Sequence, residues 1–176
     1  MKAIKSIFLA TAMAFAMNSS AKIFEDNHFM CHFDLGASHW DDTGVAISEP
    51  CFGLGAGFQT GIYENSWISL AWDVVRFDWV APFQSPKDWN ELHVKTGLRA
   101  FSPSFASGKV RAYTNLGMGY SNILTDWGSG WEGNSSFGLD WGIGLQFKEK
   151  ISIGYSLGYL TWDKSKNHFF SIGYTF

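Results

Sequence analysis

The residues of this 176-residue chain able to do chemistry are five histidines, two cysteines, sixteen acids, thirteen lysines and arginines, and scattered serines. His28, His32, His39, His93 and His168 lack the spacing of a metal-ligand cluster, so no metal and no cofactor are expected. The nearest approach to a base beside a nucleophile is His168 with Ser171. In a strand, positions three apart point to opposite faces, and the residue two along from His168 is Phe170. His32 and His93 have no serine close by in sequence. No catalytic residue is assigned, and the expectation is a protein that is not an enzyme.

The residues around these groups read as strands. Apolar and small or polar residues alternate with period two in eight segments: 29–37, 51–63, 67–80, 91–101, 110–120, 137–147, 151–162 and 168–176. In "FGLDWGIGLQF", Phe137, Leu139, Trp141, Ile143, Leu145 and Phe147 share one face, and Gly138, Asp140, Gly142, Gly144 and Gln146 the other. In the third segment the alternation slips near Val74 and Val75, after which Phe77 and Trp79 resume the apolar face. A β-bulge accounts for that slip. Connections alternate between long ("SHWDDTGVAISEP") and short ("ENS", "KEK"), as in an up-and-down membrane barrel. Segments of this length suit tilted bilayer-crossing strands.

Orientation follows from space. An eight-stranded barrel has an interior only just wide enough to be filled by side chains, and 18% aromatic content is too much for it. Turned outward, the aromatic face meets lipid while the glycine-rich face fits the lumen. The opposite orientation describes a secreted soluble sandwich. With the apolar face outward, Asp34, Asp73, Lys95, Arg99, Arg111 and Asp140 point into the lumen. Charges there need partners, since an uncompensated one costs several kcal/mol. A symmetric turn over 102–108 would set Arg99 beside Arg111, with Asp34 or Asp73 within reach. A salt-bridged plug is the favoured reading of this set, and a proton or ion path the alternative. Cys31 and Cys51 are expected roughly 20 Å apart along the first hairpin, beyond disulfide reach, hence free. Tyr63, Trp67, Phe147 and Phe176 at one end, and Trp79, Tyr120 and Tyr159 at the other, suit two interfacial girdles.

The segment "MKAIKSIFLATAMAFAMNSSA" has a basic start, a short apolar run and small residues at its end. It reads as a cleaved signal peptide over 1–21, leaving a single barrel domain over 22–176. The net charge of −3 becomes more negative once Lys2 and Lys5 are removed, which disfavours nucleic acid as a partner. The stretches "NLGMGYS", "SFGLDWGIGLQF", "ISIGYSLGY" and the final "SIGYTF" resemble the last four strands of the small eight-stranded outer-membrane barrels of the OmpX/Ail type, related to the OmpA membrane domain. The resemblance implies an all-β, eight-stranded antiparallel up-and-down transmembrane β-barrel in the bacterial outer membrane. It also implies a C-terminal assembly signal (Phe170, Ile172, Tyr174, Phe176) read by the outer-membrane assembly machinery. Its other partners would be outer-membrane lipid and lipopolysaccharide. Lipid A deacylases of this architecture use His and Ser two apart on one lipid-facing strand, which His168 and Phe170 do not supply.

Three functions follow as expectations. The first is a non-enzymatic barrel with a structural or surface-binding, adhesin-like role carried by its loops. Trp40, Asp41, Asp42, Trp89, Trp127 and Trp131 are the candidate contacts there, or else a rim belt at the headgroups. The second is a narrow pore for small solutes, and the third a lipid A-modifying enzyme.

Overall fold

The computed structural model describes residues 27–42, 45–64, 66–83, 89–126, 131–160 and 166–176. The expected signal peptide and Trp127 fall outside these residues, as do the side chains of Trp40, Asp41, Asp42 and Trp131. Eight antiparallel strands close into a barrel: β1 (Asn27–Asp42), β2 (Val45–Glu64), β3 (Ser69–Pro82), β4 (Trp89–Phe101), β5 (Val110–Asp126), β6 (Trp131–Phe147), β7 (Ile151–Leu160) and β8 (Lys166–Thr175). Each pairs with its sequence neighbours, and β8 returns to β1 through Met30↔Thr175 to His39↔Lys166. The last residue is tied down too: Phe176 N–H donates to Phe29 O at 2.8 Å. No sheet edge is left within the closed wall.

Alternation sorts the side chains as the sequence requires. Phe33, Leu54, Leu98, Leu116, Leu139, Ile143, Ile153, Phe170 and Ile172 are exposed on the outside, while Asp34, Asp73, Glu91, His93, Asp140 and Gln146 are buried inside. Such a surface is the reverse of a soluble barrel's and fits hydrocarbon. The bulge lies where the alternation slips. Pairing runs Asp73↔Gly97 and then Arg76↔Lys95, so Val74 and Val75 stand against Thr96 alone. The bulge frees backbone polarity on the lipid side, and Thr96 deals with it. Its hydroxyl takes the Trp72 indole N–H at 2.8 Å and donates to Asp73 O at 3.0 Å.

The glycines make room for large groups in a narrow tube. A Cβ on Gly55 would overlap the His32 imidazole, and one on Gly144 or Gly154 would meet the Tyr113 ring and hydroxyl. Both cysteines are free. Cys51 opposes Gly36 and is fully buried.

The strands are longer than the sequence reading set them. Residues 38–42 and 45–50, expected as loop, form the top of the β1–β2 hairpin; 121–126 and 131–136 do the same for β5–β6. Their polar composition conceals them because they rise past the lipid band, where period-two hydrophobicity is no longer required.

Candidate functional site

The lumen is stacked in layers from the long-loop end downward. Cys51, Val80, Trp89 and Phe169 form an apolar cap. The Trp89 indole N–H donates to Glu49 Oε2 at 2.6 Å. Trp89 was expected at a loop tip; instead it opens β4 as a lumen-facing, buried residue. The two positions beyond it, Glu91 and His93, lie on the same inward face.

Beneath the cap lies a relay of neutral and acidic groups. Ser121 Oγ is hydrogen-bonded to His93 Nδ1, and His93 Nε2 sits 3.0 Å from Glu91 Oε2. Asn167 Nδ2 donates to the same Glu91 oxygen at 3.0 Å, and Ser38 Oγ donates to Asn167 Oδ1 at 2.6 Å. Serine, histidine and carboxylate in a row are the parts of an acyl-transfer triad. Here all three are at most 2% exposed, so no substrate reaches them in this structure.

The charged layer follows. Arg76 Nε lies 3.0 Å from Asp78 Oδ2, and its Nη2 reaches Asp140 Oδ2 at 3.2 Å. Lys95 Nζ spans the same two acids at 3.2 and 3.8 Å. His32 Nε2 lies 3.3 Å from Asp34 and 3.1 Å from Asp78. Asn115 Nδ2 donates to Asp140 at 3.3 Å. One step lower, Arg99 Nη2 meets Asp73 Oδ2 at 3.1 Å, and Gln59 Nε2 donates to Asp73 Oδ1 at 2.6 Å. Between these layers lie small cavities of about 50 and 30 Å³. Below them a vestibule of about 730 Å³ opens at the short-turn end, walled by Arg111, Gln146, Phe101 and Glu64 among others.

All six expected lumen charges point inward, and Asp34, Asp73, Lys95, Arg99 and Asp140 sit in the stacked charged layers. Arg111 differs. The β4–β5 register opposes Arg99 to Asn115 and Phe101 to Tyr113, so Arg99 and Arg111 are not adjacent. Arg111 Nε instead donates to Gln146 Oε1 at 2.7 Å, and its guanidinium lies 4.0 Å from the Phe101 ring centre. Arg99 stacks similarly, 5.1 Å over Tyr113. Aromatic faces therefore do part of the work expected of carboxylates.

Neither a protein-family model nor a curated protein matches the chain. Solved structures do. Neisserial surface protein A is 14% identical over 84% of this chain and 95% of its own, with a TM-score of 0.58. The outer-membrane enzyme PagL is 14% identical over 81% and 97%, at 0.54. Ail, the attachment invasion locus protein of Yersinia pestis, solved with the heparin analogue sucrose octasulfate, is 19% identical over 86% and 99%, at 0.51. These likenesses are of fold: the chain is a closed, eight-stranded antiparallel up-and-down barrel, as they are.

Within this barrel the sequence reading missed Arg76, Asp78, Glu49 and Glu91. For Arg76 and Asp78 the signal was present: once the bulge places Phe77 and Trp79 outside, their neighbours must lie inside. Glu49 carried no such signal, because it precedes the lipid-crossing part of β2. Among the described residues no group of three His, Cys, Asp or Glu is placed to hold a metal.

Proposed function

We propose that the protein is a non-enzymatic barrel of the bacterial outer membrane, with a lumen that is a structural plug and a structural or surface-binding role carried by its long-loop end. The observation that carries this reading is the layered lumen. An apolar cap, a buried hydrogen-bond relay and two tiers of ion pairs fill the bore, leaving only small cavities between them. Narrow eight-stranded barrels are filled this way when they do not conduct.

The surface role rests on the hairpins. β2 is 20 residues long and β6 is 17, against the roughly 10 needed to cross hydrocarbon. Register pairing of β2 with β3 stops at Cys51↔Pro82, with one more bond from Phe83 N–H to Pro50 O at 3.0 Å, so among the described residues 45–49 pair with β1 alone. Pairing of β6 with β7 stops at Gly138↔Leu160. The β1–β2 ribbon thus stands beyond the closed wall, and the top of β6 extends along β5, which β4 flanks as far as Trp89↔Thr125; these tops carry Trp40, Asp41, Asp42 and Trp131 among their residues. The fold does not choose between roles, since one neighbour is described by attachment and another as an enzyme. We assign the signal peptide to residues 1–21 and the assembly signal to Phe170, Ile172, Tyr174 and Phe176. Those four side chains project outward from the closing strand.

Planar-bilayer recording of the refolded mature chain tests the plug: the expected result is no steady conductance. A reproducible open channel in the unmodified protein would replace the plug with a pore. Mass spectrometry of lipid A from cells with and without the protein tests the non-enzymatic half, and any new deacylated or acylated species overturns it.

A further inference from the structure

Beyond the isolated hydroxyl of Thr96, the outer wall gathers several polar groups into one patch. Near the long-loop end, β1, β8 and β7 present three outward rows. His39 opposes Lys166, which opposes Tyr159; Ala37 opposes His168, which opposes Leu157; Leu35 opposes Phe170, which opposes Tyr155. His39 and His168 stand edge to face with ring centres 5.2 Å apart, and the Tyr155 hydroxyl is hydrogen-bonded to His168 Nδ1. Two imidazoles, an ammonium and two phenols thus gather on a wall that is mostly apolar. No carboxylate faces them among the described side chains of these three strands. Lys166 is exposed, with no ion-pair partner among the described residues.

Polar groups on a lipid-facing wall cost free energy unless something pairs with them. The patch lies two to four residues above the uninterrupted apolar band, level with the expected upper aromatic girdle. At that depth an outer-leaflet lipid carries its phosphoryl groups. Tyr155 occupies Nδ1 of His168, which leaves Nε2 for a ligand. An N–H there, the Lys166 ammonium and the His39 ring supply donors and positive charge, with no competing acid among the described side chains of these strands. That donor set matches a phosphate oxygen, while Phe170, Leu157 and Leu35 beneath it match an acyl chain.

We propose that His39, Lys166, His168 and Tyr155 form a binding site for the phosphoryl headgroup of an outer-leaflet lipid, seated against the β7–β8–β1 wall. The site rests on the outer-membrane reading above. It is distinct from the lumen and from the hairpin tips.

The test uses the full mature chain refolded in neutral detergent. Lipid A, its dephosphorylated form and inorganic phosphate are titrated separately. Bound lipid is counted by native mass spectrometry, and the histidine imidazole signals are followed by NMR. The expected result is binding of lipid A that shifts the His168 and His39 signals and weakens about tenfold in a His168→Leu, Lys166→Gln variant. Lys150→Gln, at the opposite end, should bind as the unmodified protein does. Dephosphorylated lipid should bind about tenfold more weakly, and inorganic phosphate should neither compete nor shift the imidazoles. Equal affinity in the double variant, or for the dephosphorylated lipid, overturns the site. Equivalent imidazole shifts with inorganic phosphate overturn its assignment to a lipid. Heat-modifiable gel migration is recorded for each protein. Normal migration with unchanged lipid affinity removes the site alone, whereas its loss in the unmodified protein removes the barrel reading as well.

Discussion

Arg76 Nη2 on β3 lies 3.2 Å from Asp140 Oδ2 on β6, joining strands that are not neighbours through the middle of the lumen. Asp140 also faces Lys95 on β4 and accepts from Asn115 on the neighbouring β5, so one carboxylate ties β6 to β3, β4 and β5. Replacing it with leucine leaves two half-buried cations, Arg76 and Lys95, sharing Asp78 as their remaining counter-charge. The expected cost is about 3–5 kcal/mol, the range for breaking a buried pair by removing one partner. Asp140→Asn, which keeps the shape and one acceptor, should cost less. Urea unfolding in lipid vesicles followed by tryptophan fluorescence gives both values. A loss under about 1 kcal/mol for the leucine variant would show that water reaches this layer and screens it.

The His32 imidazole lies over the backbone of Gly55, where any Cβ would overlap it. Gly55→Ala is therefore an overpacking change, expected to destabilise by about 1–3 kcal/mol. Removing the ring should relieve that overlap. His32→Ala costs its own contacts with Asp34 and Asp78, yet in the double variant the alanine at 55 should cost less than it does alone, with only the Asp78 carboxylate, 2.6 Å from that Cβ, still to shift. Two sites in contact are expected to be non-additive in this way. Simple additivity across the four proteins would mean that the ring does not occupy the space above Gly55.

Much of this arrangement is legible in the order of the residues. Alternation alone assigns Asp34, Asp73, Lys95, Arg99 and Asp140 to the lumen, because the side-chain period of a strand is two and the apolar residues mark the lipid face. The same rule hides Arg76 and Asp78 if it is counted onward from Asp73, since the bulge at Val74–Val75 reverses parity. Trp89 and the upper ends of β1, β2, β5 and β6 are illegible for another reason. Past the hydrocarbon the outer face is free to be polar, so strand and loop compositions converge. The partners of Arg111 and of His168 depend on register, which is a property of pairs of strands and not of either one.

The turn between β6 and β7 offers a prediction in the stabilising direction. Lys148 and Glu149 have φ of 49° and 61°, and Lys150 N–H donates to Phe147 O at 3.0 Å. Positive φ at both central residues is the backbone of a type I′ hairpin turn, which favours Asn-Gly. Neither lysine nor glutamate sits there without strain. Lys148→Asn with Glu149→Gly should stabilise the barrel by about 0.5–1 kcal/mol, judged by the urea midpoint at unchanged slope. The positions are exposed, so packing does not enter. A neutral or lower midpoint would mean that the added freedom of glycine in the unfolded chain outweighs the relieved strain.

Thr96 poses the sharpest question about polarity in the wall. Its hydroxyl serves two groups that the bulge and the bilayer would otherwise strand: the Trp72 indole N–H and the Asp73 carbonyl. Thr96→Val keeps the shape and removes both bonds. In water such a loss is blunted by solvent, but at this depth an unpaired donor or acceptor finds none. The expected destabilisation is about 1–3 kcal/mol, with a red-shift or loss of intensity at Trp72 if water enters to replace the hydroxyl. Thr96→Ser, which retains the hydroxyl and drops only a methyl, should recover most of the stability. If valine and serine were equally tolerated, the bulge would be held by its register alone, and the hydroxyl would be a passenger on it.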